Sequence, residues 1–352
     1  MKNLLLFLAL SITACVTPYQ PEIRSIPPAL VVDGLLTDQP GPHTVQLTYT
    51  ADYTNSSVNL LVEKATVWLT DEANARQNLT ETSAGSYQTV ASFRGQVGRS
   101  YVLHIRVNNR EYASQPERIR PVARIERAYS EFVETPVPGT LAFDRGFNVY
   151  VDTRDPETTG DYYRWRYTSF EPTQVCDIRN FTINRQIVQY SYGCCSACWD
   201  IVRCNGTNCI SIASDALVNG RSIVKQFILK APYNGRDRYY TEVEQLSMTR
   251  EAYEFWKGAE GLTKANGGIF DQAPASLRGN ITCITNPSET VFGYFGASAS
   301  SLVPVIIDRS GISAPPALKL YPPVDPALPP PACAECKESS GRTKVKPRFW
   351  YN

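Results

Sequence analysis

Between residues 29 and 121, apolar side chains return at every second position, and this alternation constrains the fold more than any other feature of the chain. In "HTVQLTYTA", Val45, Leu47 and Tyr49 alternate with polar residues. In "KATVWLTD", Ala65, Val67 and Leu69 take one face and leave Trp68 on the other. In "YVLHIRVNNREYAS", Tyr101, Leu103, Ile105 and Val107 share a face ahead of an Asn108-Asn109 turn. Successive strand side chains point to opposite faces, so each such segment buries one face and wets the other. "ALVVDGLL" and "GSYQTVASF" supply further strands. Short strands separated by turn residues predict an antiparallel sandwich, here an immunoglobulin-like domain over residues 29–121.

A second β-rich domain is expected over residues 122–312, with strands at 122–132, 140–153, 162–170, 186–192, 222–230, 237–246, 289–297 and 302–308. One segment breaks the period of two. "MTREAYEFWKGAEGL" sets Met248, Ala252, Phe255, Trp256, Ala259 and Leu262 at helical spacing, with Ser247 as N-cap. The expected fold is therefore mainly β: an N-terminal immunoglobulin-like sandwich, then a larger β-rich sandwich with one helix inserted near residues 248–262. The aromatic stripe of that helix reads as core packing. Residues 313–352 form a proline-rich tail ending in Cys333-x-x-Cys336. The length of 352 residues suits two domains.

The first residues, "MKNLLLFLALSITAC", carry a positive start at Lys2 and a short apolar run from Leu4 to Leu10. They end in Ile12-Thr13-Ala14-Cys15, the aliphatic, small, small, cysteine pattern of a lipobox. Residues 1–14 are then a signal peptide, and Cys15 is the site of lipidation. Acyl chains on that thiol would hold the protein on a membrane that no later segment is apolar enough to cross. Residues 15–28, polar and broken by prolines, read as a tether. Val16, in place of the aspartate of inner-membrane retention, favours the outer membrane on either of its faces.

Nine cysteines remain: Cys176, Cys194, Cys195, Cys198, Cys204, Cys209, Cys283, Cys333 and Cys336. In an oxidising compartment they are disulfide candidates, and an odd number leaves one over. Five fall in the loop-rich stretch from Cys194 to Cys209, which crosslinks would order. Two alternatives are weighed beside disulfides. Zinc could take Cys195, Cys198, Cys204 and Cys209. Redox chemistry could use the two Cys-x-x-Cys spacings, although neither opens a helix after a strand.

Catalytic patterns are sparse. Glu242 and Glu244 lie two apart on one strand face, as a glycosidase pair could, or as a solvated face would. Asp152, Asp155 and Asp161 could hold calcium, or could shape an Asp-Pro turn. Only His43 and His104 are available for general-base work, and His104 should face away from Leu103 and Ile105. Thirty-five basic against thirty-four acidic residues leave no field to recruit nucleic acid. No metal or cofactor is expected. Tyr162, Tyr163, Trp165 and Trp199 sit in aromatic clusters near loops and are candidate ligand contacts for an unknown ligand.

The strings "LVVDGLLTD", "ATVWLTD", "GSYQT" and "GRSYVLHIRV", then "QLSMTREAYEFWKG", "GGIFDQAPASLRGNI" and "TVFGYFGAS", and the closing "CAEC" and "KPRFW", run through nearly the whole mature chain. Together they resemble a family of lipoproteins catalogued as domain of unknown function 4249. The resemblance implies an outer-membrane lipoprotein, often encoded beside TonB-dependent receptors, with an accessory role in uptake or in an envelope assembly and no known catalytic residues. Gly267, Gly268, Phe270, Asp271, Gly279 and Asn280 match family positions and read as turn and packing chemistry. The expectation is a non-catalytic, lipid-anchored binding protein partnered by such a receptor. The rival readings are a carbohydrate-active enzyme and an adhesive surface protein.

Overall fold

A computed structural model describes residues 28–50, 60–175, 179–183, 186–190, 196–204, 209–264, 277–317 and 335–350. The chain is mainly β. The first strands are β1 (Leu30–Thr37), β2 (Thr44–Tyr49), β3 (Leu60–Leu61), β4 (Thr66–Asp71), β5 (Arg76–Ser83), β6 (Ser86–Gln88), β7 (Ser100–Val107), β8 (Arg110–Ser114) and β9 (Glu117–Arg118). They alternate as the sequence does. Val45, Leu47, Val67, Leu69, Tyr101, Leu103, Ile105 and Val107 are all buried in one core. Trp68 and His104 face each other on the opposite side, with rings stacked 5.0 Å apart. Asn108 and Asn109 both take positive φ and turn β7 into β8. Strand β5 pairs with β4 from Arg76 to Leu79 and with β6 from Thr80 onward, so the sheet folds over itself and encloses the core.

The following strands are β10 (Ile125–Pro136), β11 (Phe143–Arg154), β12 (Tyr162–Val175), β13 (Arg179–Ile183), β14 (Gln186–Tyr190), β15 (Ser196–Arg203), β16 (Ser211–Ser214), β17 (Ser222–Pro232) and β18 (Tyr239–Met248). Helix α1 (Arg250–Lys264) comes next, then β19 (Ile281–Cys283), β20 (Phe292–Ser298), β21 (Ser300–Ile307) and β22 (Arg342–Thr343). A three-stranded sheet, β10-β11-β17, packs on a six-stranded sheet ordered β21-β18-β12-β15-β22, with β16 added to β12. Val149, Val151, Trp165, Tyr233, Val243 and Ile307 fill the space between them. Strands β13 and β14 form a separate hairpin.

The division at residue 121 is crossed by the chain. Strand β19 pairs with β8, and β20 runs parallel to β1 from Val31↔Phe292 to Thr37↔Ser298. The expected strand at 289–297 thus belongs to the first sheet. Unpaired edges invite association, and residues 281–298 cover both edges of that sheet. The closure is tight. A Cβ on Gly279 would stand 1.4 Å from the Gly293 carbonyl oxygen, and Gly293 itself has φ +88°. The Asn280 side chain donates to Phe295 O at 2.8 Å and accepts from Phe295 N at 3.0 Å. Past Ala299 the chain enters β21 and the second sandwich.

The helix forms where its periodicity predicts, but its cap is Thr249 rather than Ser247. The Thr249 hydroxyl accepts from Ala252 N at 3.1 Å. Ser247 is still within β18, where its hydroxyl donates to Arg120 O and accepts from Ala299 N. Ala252, Phe255 and Trp256 pack with Met248 and Tyr294, as expected of a core stripe, while Leu262 is exposed.

Candidate functional site

Strand β12 carries two chemistries on its two faces. Tyr163 and Trp165 point into the core and are each only 1 % exposed. Trp165 Nε1 donates to Gln245 Oε1 at 2.8 Å, and the Tyr163 hydroxyl donates to Asp155 at 2.5 Å. These two aromatics are therefore structural and are not ligand contacts. Tyr162 packs on Tyr253 of α1, ring centroids 4.9 Å apart. Trp199 sits on β15 opposite Pro172 and Thr343, away from the cleft described next. Its buried Nε1 has no hydrogen-bond partner among the described residues.

The alternate residues of β12, Arg164 and Arg166, open onto a cleft of about 430 Å³ between the two sandwiches. One wall is Asp33, Gly34 and Leu35 of β1 with Tyr294 and Gly296 of β20. The other is Arg164, Arg166, Tyr167 and Thr168 of β12, Glu244 of β18, Arg203 and Cys204, and Trp256 of α1. Three guanidinium groups thus meet two carboxylates. Arg166 is ion-paired with Glu244, whose other oxygen accepts from the Ser300 hydroxyl at 2.6 Å. Arg203 donates to Ser340 O. Arg164 lies against the face of Trp256, 3.5 Å from the ring centroid, and its Nε is buried with no hydrogen-bond partner among the described residues. Burial, and then the like charge of Arg166, bring the Arg164 pKa down to about 10, which leaves it charged at neutral pH.

Behind the cleft, the Tyr294 hydroxyl donates to Glu117, which is 2 % exposed. Thr249 Oγ1 and Asn280 Nδ2 also donate to this carboxylate, at 2.9 and 3.1 Å. Burial is the main reason that its pKa rises to about 7.

The other sequence candidates are occupied otherwise. Glu242 shares a strand face with Glu244, but Arg348 holds it in a two-pronged pair at 3.0 and 3.2 Å. Each acid thus has its own arginine, and only Glu244 lines the cleft. Asp152 accepts from Lys225 N, Asp155 from Tyr163 and Gly220 N, and Asp161 from Thr158 and Arg120. Those contacts fit the turn reading of the aspartates, and no metal-ligating cluster is found among the described residues. The His43 ring contacts Gln39 O, and the His104 ring contacts the Thr70 hydroxyl.

Cys198 is bonded to Cys336 across 138 residues, and Cys204 to Cys209. The four-thiolate zinc set is thereby overturned, since three of its sulfurs are in disulfides. Cys198 and Cys336 also bond to each other rather than within their own Cys-x-x-Cys spacings. Cys283 is free and buried. Cys15, Cys176, Cys194, Cys195 and Cys333 lie outside the described residues, as do Gly267, Gly268, Phe270 and Asp271.

A family profile described as domain of unknown function (DUF4249) matches residues 16–301. The chain belongs to this family. No curated protein and no solved structure matches it. The DUF4249 span takes in all the residues lining the cleft. The "CAEC" and "KPRFW" strings fall outside the span. The aromatics of "DYYRWRY" are the conspicuous residues of this segment, yet the arginines between them line the cleft. Their signal is positional: two cations on the wet face of a strand whose other face is aromatic. Glu117 carries no such signal, because its neighbours come from residues 249, 280 and 294.

Proposed function

We propose that the protein is a lipid-anchored, non-catalytic binding subunit of the outer membrane that acts beside a TonB-dependent receptor and recognises a ligand through the cleft between the sandwiches. The observation that carries the reading is the cleft itself, where Arg164, Arg166 and Arg203 converge beside Trp256. Such a set of fixed donors beside an aromatic face suits recognition. Glu244 in the cleft and Glu242 beside it on β18 are each engaged in an ion pair, which suits binding better than a paired-carboxylate hydrolysis. The anchor rests on the lipobox ending in Cys15 and on the proline-broken tether that follows it. The family resemblance supports the receptor as partner.

The test has two parts. Cells grown with an alkyne fatty acid should label the wild-type protein and not the Cys15→Ser variant, and the variant should leave the membrane fraction. Solubilisation of outer membranes in mild detergent should recover a β-barrel receptor with the wild type. A variant that still sediments with membranes, from a wild type that never takes label, defeats the anchor. Repeated recovery of the protein alone defeats the partnership.

A further inference from the structure

The three cleft arginines differ in how their charge is met. Arg166 has a carboxylate, Glu244. Arg203 donates to a backbone carbonyl, that of Ser340, and among the described residues no carboxylate forms an ion pair with it. Arg164 has an indole face and an orphaned Nε, and among the described residues no carboxylate lies within ion-pair distance of it. A half-buried cation with no carboxylate paired to it recovers only part of its lost solvation, and its buried Nε–H, left unmade, forfeits solvation outright. The stack on Trp256 offsets part of that cost and covers one face of the guanidinium plane. Stacking leaves the edge of the plane, where the N–H groups point, for hydrogen bonding.

We infer that the cleft is a receptor site for an oxyanion group, carboxylate or phosphate, carried by a small polar molecule, with Arg164 as its central donor and Arg166 and Arg203 flanking it. The planar fork of arginine matches either group in a two-pronged geometry. Three guanidinium groups against Asp33 and Glu244 leave an excess of positive charge, and Glu244 is already engaged. A volume of about 430 Å³ admits a small metabolite and not a folded partner. Because Trp256 lies on α1 and Arg164 on β12, the site exists only when the helix is docked on the sheet.

This deepens the proposed function by naming what the cleft takes. Its test is done in solution, so that a failure to bind leaves the anchor, read by fatty-acid labelling, untouched. Isothermal titration of the full chain in mild detergent at low salt uses inorganic phosphate and citrate as probes. Saturable one-to-one binding of at least one probe is expected, with affinity lower by about tenfold or more in Arg164→Gln. Arg203→Gln, at an exposed position that does not threaten folding, should also weaken binding. Tighter phosphate binding identifies a phosphate-bearing ligand, and tighter citrate binding a carboxylate-bearing one. Absence of saturable binding by both probes overturns the inference, as does binding that neither substitution weakens.

Discussion

Glu117 gives the most direct handle on the electrostatics of the fold. Its carboxylate is buried between β9, the cap of α1 and β20, where it receives hydrogen bonds from Thr249, Asn280 and Tyr294. Among the described residues no lysine or arginine forms an ion pair with it. Neutral donors compensate part of the burial, which still raises the pKa from 4.5 to about 7, with a further push from Glu251. The native state therefore holds this proton more tightly than the unfolded chain. Stability from the site is fully present below about pH 4.5 and is lost as pH rises towards 7. At about 1.4 kcal/mol per pKa unit, the full penalty is about 3 kcal/mol.

Glu117→Gln keeps the shape and removes the titration. Any cost of fitting the amide among its donors is independent of pH, so the slope is the readout. About 1 kcal/mol of the penalty is present at pH 5 and about 3 kcal/mol at pH 8, so the variant should gain about 2 kcal/mol on the wild type across that range. Urea unfolding of both proteins at pH 5, 6, 7 and 8, disulfides intact, measures this through the midpoints. All other carboxylates titrate in both proteins and cancel. Stability curves that run parallel across the range would refute the account of Glu117 as a buried acid without a counter-charge.

Two further substitutions test the closures of the fold. Cys336→Ser opens a loop of 138 residues, and the chain-entropy estimate puts the loss at up to about 5 kcal/mol; the thermal midpoint should fall, and limited proteolysis should cut between Cys198 and the C-terminus earlier than in the wild type. Gly279→Ala places a methyl group against the Gly293 backbone, which cannot recede because Gly293 itself abuts Val32, and should cost about 4 kcal/mol or more. Gly261→Ala is its control: the site is helical and open, so the same change should be neutral or stabilising by about 0.5–1 kcal/mol.

The period of two made the strands legible because their pairing is local. β7 meets β8 through two asparagines, and the faces of β2, β4 and β7 follow from residue parity alone. Parity says nothing about which distant strand completes a sheet. Residues 292–298 alternate too weakly to declare a partner, and their pairing with β1 depends on Gly279 and Gly293 passing backbone to backbone. The helix was legible from its apolar spacing, while its cap was not, since both Ser247 and Thr249 are good caps and β18 continues one residue past Ser247. The cysteines announced crosslinks and left their partners open, because Cys198 meets a residue 138 positions away.

The same parity explains why the cleft was hidden in the segment that contains it. On β12, Tyr163 and Trp165 fill the core of the second sandwich, while Arg164 and Arg166 reach across to β1, β20 and α1. Large aromatics in a strand attract a functional reading because they suit recognition surfaces, yet a central strand in a two-layer fold must bury one face. Trp165 is further tied to Gln245, which donates to Ala123 O and to the Thr153 hydroxyl. That network fixes β12 against the opposite sheet and so sets the height of the arginines in the cleft. The aromatic face supplies rigidity and the cationic face supplies chemistry, and a shift in pairing register by one residue would exchange them. Placing charge on the reverse side of a fully packed strand holds the guanidinium groups in position before any ligand arrives, which lowers the ordering cost of binding.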